Sequence, residues 1–200
     1  MNMRDKCYEL CRKLASDFDG WEFQGGKFVC KKYKPFVLGL EIFAKVAMSH
    51  VCFQAIEWVK VSPLVKPIRA LFPEYKVPCH FTRQPKNVDG SRFSGVYTEI
   101  SLAAPVIESF VRIALPNAES RYCLDSIDEF VDKFPEDNPF NFIGIQGVHY
   151  CLLRMFVGDF DYIKKCCEEA VAGNEDFRLD ELRQIVQRME DMEFREQFVK

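Results

Sequence analysis

Two hundred residues, 48% hydrophobic and 28% charged, are enough to bury a substantial core and too apolar for a disordered chain. The net charge of −3 is unevenly spread: residues 1–100 hold 16 Lys and Arg against 10 Asp and Glu, while residues 101–200 hold 11 against 20. The acidic second half argues against a phosphate-backbone partner there and suits a basic one, although solvated helix faces leave the same signature.

Residues 4–18 read as an amphipathic helix, because Cys7, Leu10, Cys11, Leu14 and Phe18 recur at spacings of three and four. Asp19-Gly20 ends it. Trp21 to Cys30 predicts a hairpin turning at Gln24-Gly25-Gly26, where glycine supplies the positive φ of a tight turn. After Pro35, the residues Phe36, Leu38, Leu40, Ile42 and Ala44 alternate with Glu41 and Lys45, the period of a strand with one buried face. His50 to Val61 is a further strand, rich in Val, Ile, Phe and Trp. Ser62 is expected to cap a short helix with Pro63 in its first turn, and Pro67 fits that helix less well. Cys79 to Gln84 and Val96 to Leu102 predict two short strands, and residues 85–95 between them are the most loop-like part of the chain.

The texture then changes. Ala103 to Leu115 predicts a helix with Pro105 in its first turn and Leu115-Pro116-Asn117 as its stop. Ser126-Ile-Asp-Glu129 has capping-box spacing and opens a short helix ending at Phe134-Pro135. Ile143 to Val157 and Asp159 to Ala172 are two more helices, with Gly158 as a left-handed stop and Asp159 as the next cap. Leu179, Leu182, Ile185, Val186, Met189 and Met192 form the stripe of the last one. A helix and an antiparallel sheet of about five or six strands (residues 1–102), then a mostly helical half packed on it (103–200), make an α+β chain, read as one domain over 1–200.

The longest apolar run, Phe36 to Val46, is broken by Gly39, Glu41 and Lys45, so no membrane partner is expected. Acidic residues and the lack of an apolar signal core in residues 1–10 argue against export. Nine cysteines without paired spacing then read as reduced thiols of a cytoplasmic protein.

Candidate chemistry is sparse. Cys7 and Cys11 lie one helical turn apart on an apolar stripe, and Cys166-Cys167 are adjacent, so neither pair has zinc-knuckle spacing and no metal or cofactor is expected. In the helical hairpin, Cys167 falls on the packing stripe with Phe160, Ile163 and Ala170, and Cys166 falls to one side. Cys79-His80 and His149-Tyr-Cys151 cannot form a catalytic dyad by local geometry, since neighbours on a strand or a helix point apart. An enzyme would need a Cys/His site assembled across the fold from Cys79, His80, His50 or His149, with no catalytic residue legible from spacing alone. Gln24-Gly25-Gly26-Lys27 lacks the spacing of a phosphate loop. Lys27, Lys31, Lys32 and Lys34, interleaved with Phe28 and Tyr33, suit either nucleic-acid binding or protection of a sheet edge.

Two segments carry a resemblance. Phe110 to Phe134 holds a helix ending in Leu115-Pro116 followed by a short capped helix, and Gly158-Asp159 with an aromatic residue joins two further helices. Behind an N-terminal helix and a Phe-rich sheet, this order resembles small bacterial immunity proteins of contact-dependent and polymorphic toxin systems, and related bacterial domains. The likeness covers most of the chain in layout and about 45 residues in pattern, and its motifs are structural. It implies a cytoplasmic inhibitor that neutralises a cognate protein toxin domain by stoichiometric binding. Such domains are often basic nucleases, which an acidic surface would steer and block. On that reading Asp125, Asp128, Glu129, Asp132, Glu136 and Asp137 form the contact surface; on the plain reading they are the solvated face of a helix.

Overall fold

The computed structural model describes residues 2–47, 50–71, 73, 80–86, 91, 93–137, 145–171 and 179–189. Their elements are α1 (Met3–Ala15), β1 (Trp21–Gln24), β2 (Lys27–Cys30), β3 (Phe36–Ala47), β4 (His50–Val61), a 3-10 turn (Ser62–Leu64), α2 (Val65–Leu71), β5 (His80–Arg83), β6 (Ser94–Tyr97), α3 (Ile100–Arg121), α4 (Ile127–Asp137), α5 (Ile145–Phe156), α6 (Phe160–Val171) and α7 (Leu179–Met189). Six strands make one mostly antiparallel sheet in the order β1-β2-β3-β4-β5, with β6 also paired to β4, so the chain is α+β. It forms two compact units, Met1–Val59 with Thr82–Cys123, and Lys60–Phe81 with Leu124–Lys200.

In the first unit, α1 is capped by Asn2, whose Oδ1 accepts the Asp5 amide at 2.9 Å. It buries Cys7, Cys11, Leu14 and Ala15. The hairpin turns on Gly25 (φ 58°) and Gly26 (φ 85°), the pair of positive φ values a type I′ turn demands. Lys27 lies opposite Glu41 in the β2/β3 register and pairs with it at 3.0 Å. On β3 the predicted face is buried at Phe36, Leu38, Leu40 and Ile42, and on β4 at Val51, Phe53, Ala55, Glu57, Val59 and Val61.

The helix α3 departs from expectation at both ends. It begins at Ile100, because Leu102 and Ala103 both donate their amides to the Glu99 carbonyl, and this ends β6 at Tyr97 rather than Leu102. Pro105 is therefore past the first turn, and the helix runs through Pro116 to Arg121. A proline inside a helix costs about 3 kcal/mol, and here packing outweighs it. The buried stripe Ala103, Ile107, Phe110, Val111, Ala114, Leu115 and Ala118 continues past Pro116. The carbonyls that lose their partners belong to Ser101 and Arg112, both exposed, where water can replace the amide.

Glu119 pins the last turn of α3. It accepts Trp21 Nε1 at 2.6 Å, Lys32 Nζ at 3.2 Å and the Tyr33 hydroxyl. Burial works to raise its pKa, but these donors outweigh it and hold the carboxyl below its usual value of 4.5. The contribution of Glu119 is thus fully present above that value and is lost as pH falls through the lower folded pKa. Glu119→Gln should cost about 1–2 kcal/mol near neutrality through the Trp21 and Tyr33 bonds. Urea melts at falling pH should show that gap closing, and a constant gap would remove the assignment.

In the second unit, Ser126 Oγ accepts the Glu129 amide at 3.1 Å, so the predicted cap of α4 is present. The helix continues past Phe134-Pro135 to Asp137. Ile127, Phe130 and Val131 form its buried side. Between α5 and α6, Asp159 N donates to Arg154 O at 2.9 Å and Gly158 N to Met155 O at 2.8 Å, with Gly158 at φ 89°. This is a Schellman stop that only glycine adopts readily. Asp159 Oδ1 then caps α6 by accepting the Tyr162 amide at 3.2 Å. Ser62 caps nothing: the residue before the 3-10 turn is Val61, without a side-chain cap, and Pro63 occupies its start. Pro67 is buried in α2.

Candidate functional site

The buried face of β4 carries one carboxylate. Glu57 keeps the parity of Val51, Phe53, Ala55, Val59 and Val61, and it is 2% exposed. Tyr122, just after α3, donates its hydroxyl to Glu57 Oε1, and Arg83 Nε on β5 lies 3.8 Å from the same oxygen. That arginine nitrogen is buried and has no hydrogen-bond partner among the described residues. Burial pushes the Glu57 carboxyl above its usual range, against the hydrogen bond from Tyr122 and the charge of Arg121. Burial, then the neighbouring carboxylate, pushes the Tyr122 phenol far up, so it remains a donor.

These groups border a pocket of about 460 Å³ within the first unit. Its charged residues are Glu57, Arg83, Lys86 and Arg121, three cations against one carboxylate, so the pocket is net positive whether or not Glu57 is ionised. Its apolar side comes from α3 and includes Val106, Phe110 and Ile113. The Phe110 ring stacks on Phe93 at 3.8 Å and 14° between planes, which fixes that wall. Val106 and Ile113 stand 40% and 37% exposed, and Leu102, on the same stripe, 56%.

The residues singled out from sequence are placed elsewhere. Asp125, Asp128, Glu129 and Asp132 are exposed, on α4 or just before it, and their spacing sets them along one side of the helix. Glu136 and Asp137 belong to the α4 backbone, and their side chains lie outside the described residues. Cys79 and most of the segment 85–95 also lie outside them, as residues 87–90 and 92 are not described. His50 is exposed at the start of β4, whereas His149 is buried on α5, edge-on to Phe81 at 6.3 Å. Among the described residues no three His, Cys, Asp or Glu side chains gather as metal ligands.

Eight cysteines fall in the described part, all free. Cys7 and Cys11 pack in the core as predicted, and burial pushes their thiols up to about 11 and about 12. The assignment in the helical hairpin is reversed. Cys166 is buried and Cys167 is half-exposed, because α6 turns the former toward α5. The Cys151 thiol donates to Cys166, and this hydrogen bond, then burial, pushes its pKa far up, so Cys151 is a poor nucleophile. Of the lysine-rich hairpin, Lys27 is held by Glu41 and Lys32 by Glu119 and Asp19, which reduces the charge left for a phosphate.

Sequence reasoning missed Glu57, Arg83 and Tyr122. One signal was present: a glutamate at the buried parity of an otherwise apolar strand must find partners, since a lone buried carboxylate is costly. No helix among the described residues is long and apolar enough to cross a membrane. The chain matches no protein-family model, no curated protein and no solved structure.

Proposed function

We propose that the chain acts as a stoichiometric binding protein, an immunity-type inhibitor of a basic toxin domain working in the cytoplasm. The observation that carries this reading is the exposed carboxylate edge of α4, with Asp125, Asp128, Glu129 and Asp132 facing solvent while Ile127, Phe130 and Val131 anchor the opposite side. A helix that displays three acids, with Asp125 just before it, speeds association with a basic surface and competes with the phosphates such a surface would otherwise bind. Inert buried thiols fit a protein that works by contact. The capped start of α4 is one part of the order on which the resemblance to immunity proteins rests, whereas the helix stop at Leu115-Pro116 is absent because α3 runs on to Arg121.

The test is co-expression with a toxin domain encoded beside the gene. Protection and a one-to-one complex by calorimetry are expected. Asp125→Lys, Asp128→Lys, Glu129→Lys and Asp132→Lys combined should slow association at least about 10-fold and flatten its dependence on salt. A chain that neither binds nor protects would sink the role. An unchanged association rate would move the contact away from α4.

A further inference from the structure

We propose that the Glu57–Arg83 pocket is a binding site for a small organic anion, a carboxylate or phosphate ester carrying an apolar body. The site is built from β4, β5 and α3 and uses none of the α4 carboxylates, so it stands apart from the toxin-binding reading. At about 460 Å³ it has the size of a small-molecule site. Its two sides differ in chemistry. Val106, Phe110 and Ile113 offer apolar surface, and Arg83, Lys86 and Arg121 offer positive charge.

Arg83 decides the class of ligand. Its side chain is 14% exposed, and its Nε has no hydrogen-bond partner among the described residues, although Glu57 holds it at 3.8 Å. A buried guanidinium donor left unmade is costly, and a carboxylate or phosphate satisfies such a fork in two parallel bonds. Glu57 Oε1 is already taken by the Tyr122 hydroxyl and makes no hydrogen bond to Arg83 Nε, so the local acid does not satisfy the guanidinium. Three cations to one carboxylate leave room for one further negative charge. The exposed Val106 and Ile113 then cover the apolar part of the ligand, which accounts for large apolar side chains left in water on α3.

The test is a fluorine NMR titration of the full chain with 4-fluorobenzoate, 4-fluorophenyl phosphate and the neutral 4-fluorobenzyl alcohol. At least one anion should saturate a single site with Kd below about 1 mM, and the alcohol should bind at least about 10-fold more weakly. The two anions distinguish a carboxylate from a phosphate head group. Arg83→Gln should weaken the anion about 10-fold or more. Ile113→Glu alters an exposed rim residue without touching the core, and it should weaken the anion by a similar factor while circular dichroism and melting stay unchanged. If Arg83→Gln does not fold, Ile113→Glu decides alone. The proposal fails if neither anion saturates, if the alcohol binds as tightly, or if the folded variants bind like the parent.

Discussion

Gly39→Ala should destabilise the first unit by about 3 kcal/mol, at the upper end of the range for overpacking. Gly39 is buried on β3, on the face opposite Leu38 and Leu40. A Cβ there would lie 1.9 Å from Trp58 Cε2 and 2.0 Å from Cζ2. Trp58 points to the same face of the neighbouring strand β4 and is itself 7% exposed, so its indole has little room to withdraw. The glycine is thus the floor on which the indole lies. Its need here is steric rather than conformational. A midpoint drop of roughly 10 °C is expected for a chain of this size. Trp58→Leu alone should also destabilise, through lost packing. In the double variant the clash is gone, so the two losses should fall short of additive by about 1–2 kcal/mol. Urea melts of the four proteins measure that coupling. Gly39→Ala melting with the parent would show that the indole moves freely.

What could be read from the sequence was whatever local chemistry decides. The hairpin at Gly25-Gly26, the strand from His50 to Val61, the Ser126 cap and the Gly158 stop each follow from a few neighbouring residues, and each is present. The errors lie where packing overrides local preference. Pro116 reads as a stop, yet Ala118 and Glu119 beyond it have partners in the unit that hold the helix on. Cys166 and Cys167 are adjacent, so a helical stripe read without its packing partner places either one inward, and contact with α5 decides. The pocket was hidden for a further reason. Glu57, Arg83 and Arg121 come from separate stretches of chain, and no spacing links them. Only the parity of Glu57 hinted at it.

Glu57→Leu should cost about 3 kcal/mol, because it leaves the buried Arg83 without its carboxylate and the Tyr122 hydroxyl without its acceptor. The loss belongs mainly to the stranded partners, so Glu57→Leu combined with Arg83→Leu should recover much of it. A double variant as unstable as the single one would mean that Arg83 does not depend on Glu57. The titration of Glu57 gives a second, independent sign. Burial outweighs the hydrogen bond from Tyr122 and the charge of Arg121, and the folded pKa lies above the usual 4.5. Its contribution is therefore fully present below that value, is lost as pH rises toward the folded pKa, and is flat beyond. Glu57→Gln removes this loss and keeps an acceptor for Tyr122, so it should gain on the parent as pH rises from the usual 4.5 to the raised folded pKa. This is the reverse of the Glu119 profile, in which the parent gains on its glutamine variant as pH rises through the lowered pKa. Denaturant melts of both glutamine variants, taken from below the lowered pKa of Glu119 to above the raised pKa of Glu57, compare two carboxylates within one unit. The three donors around Glu119 favour its charge, whereas the interior around Glu57 opposes it, and parallel profiles would contradict that contrast.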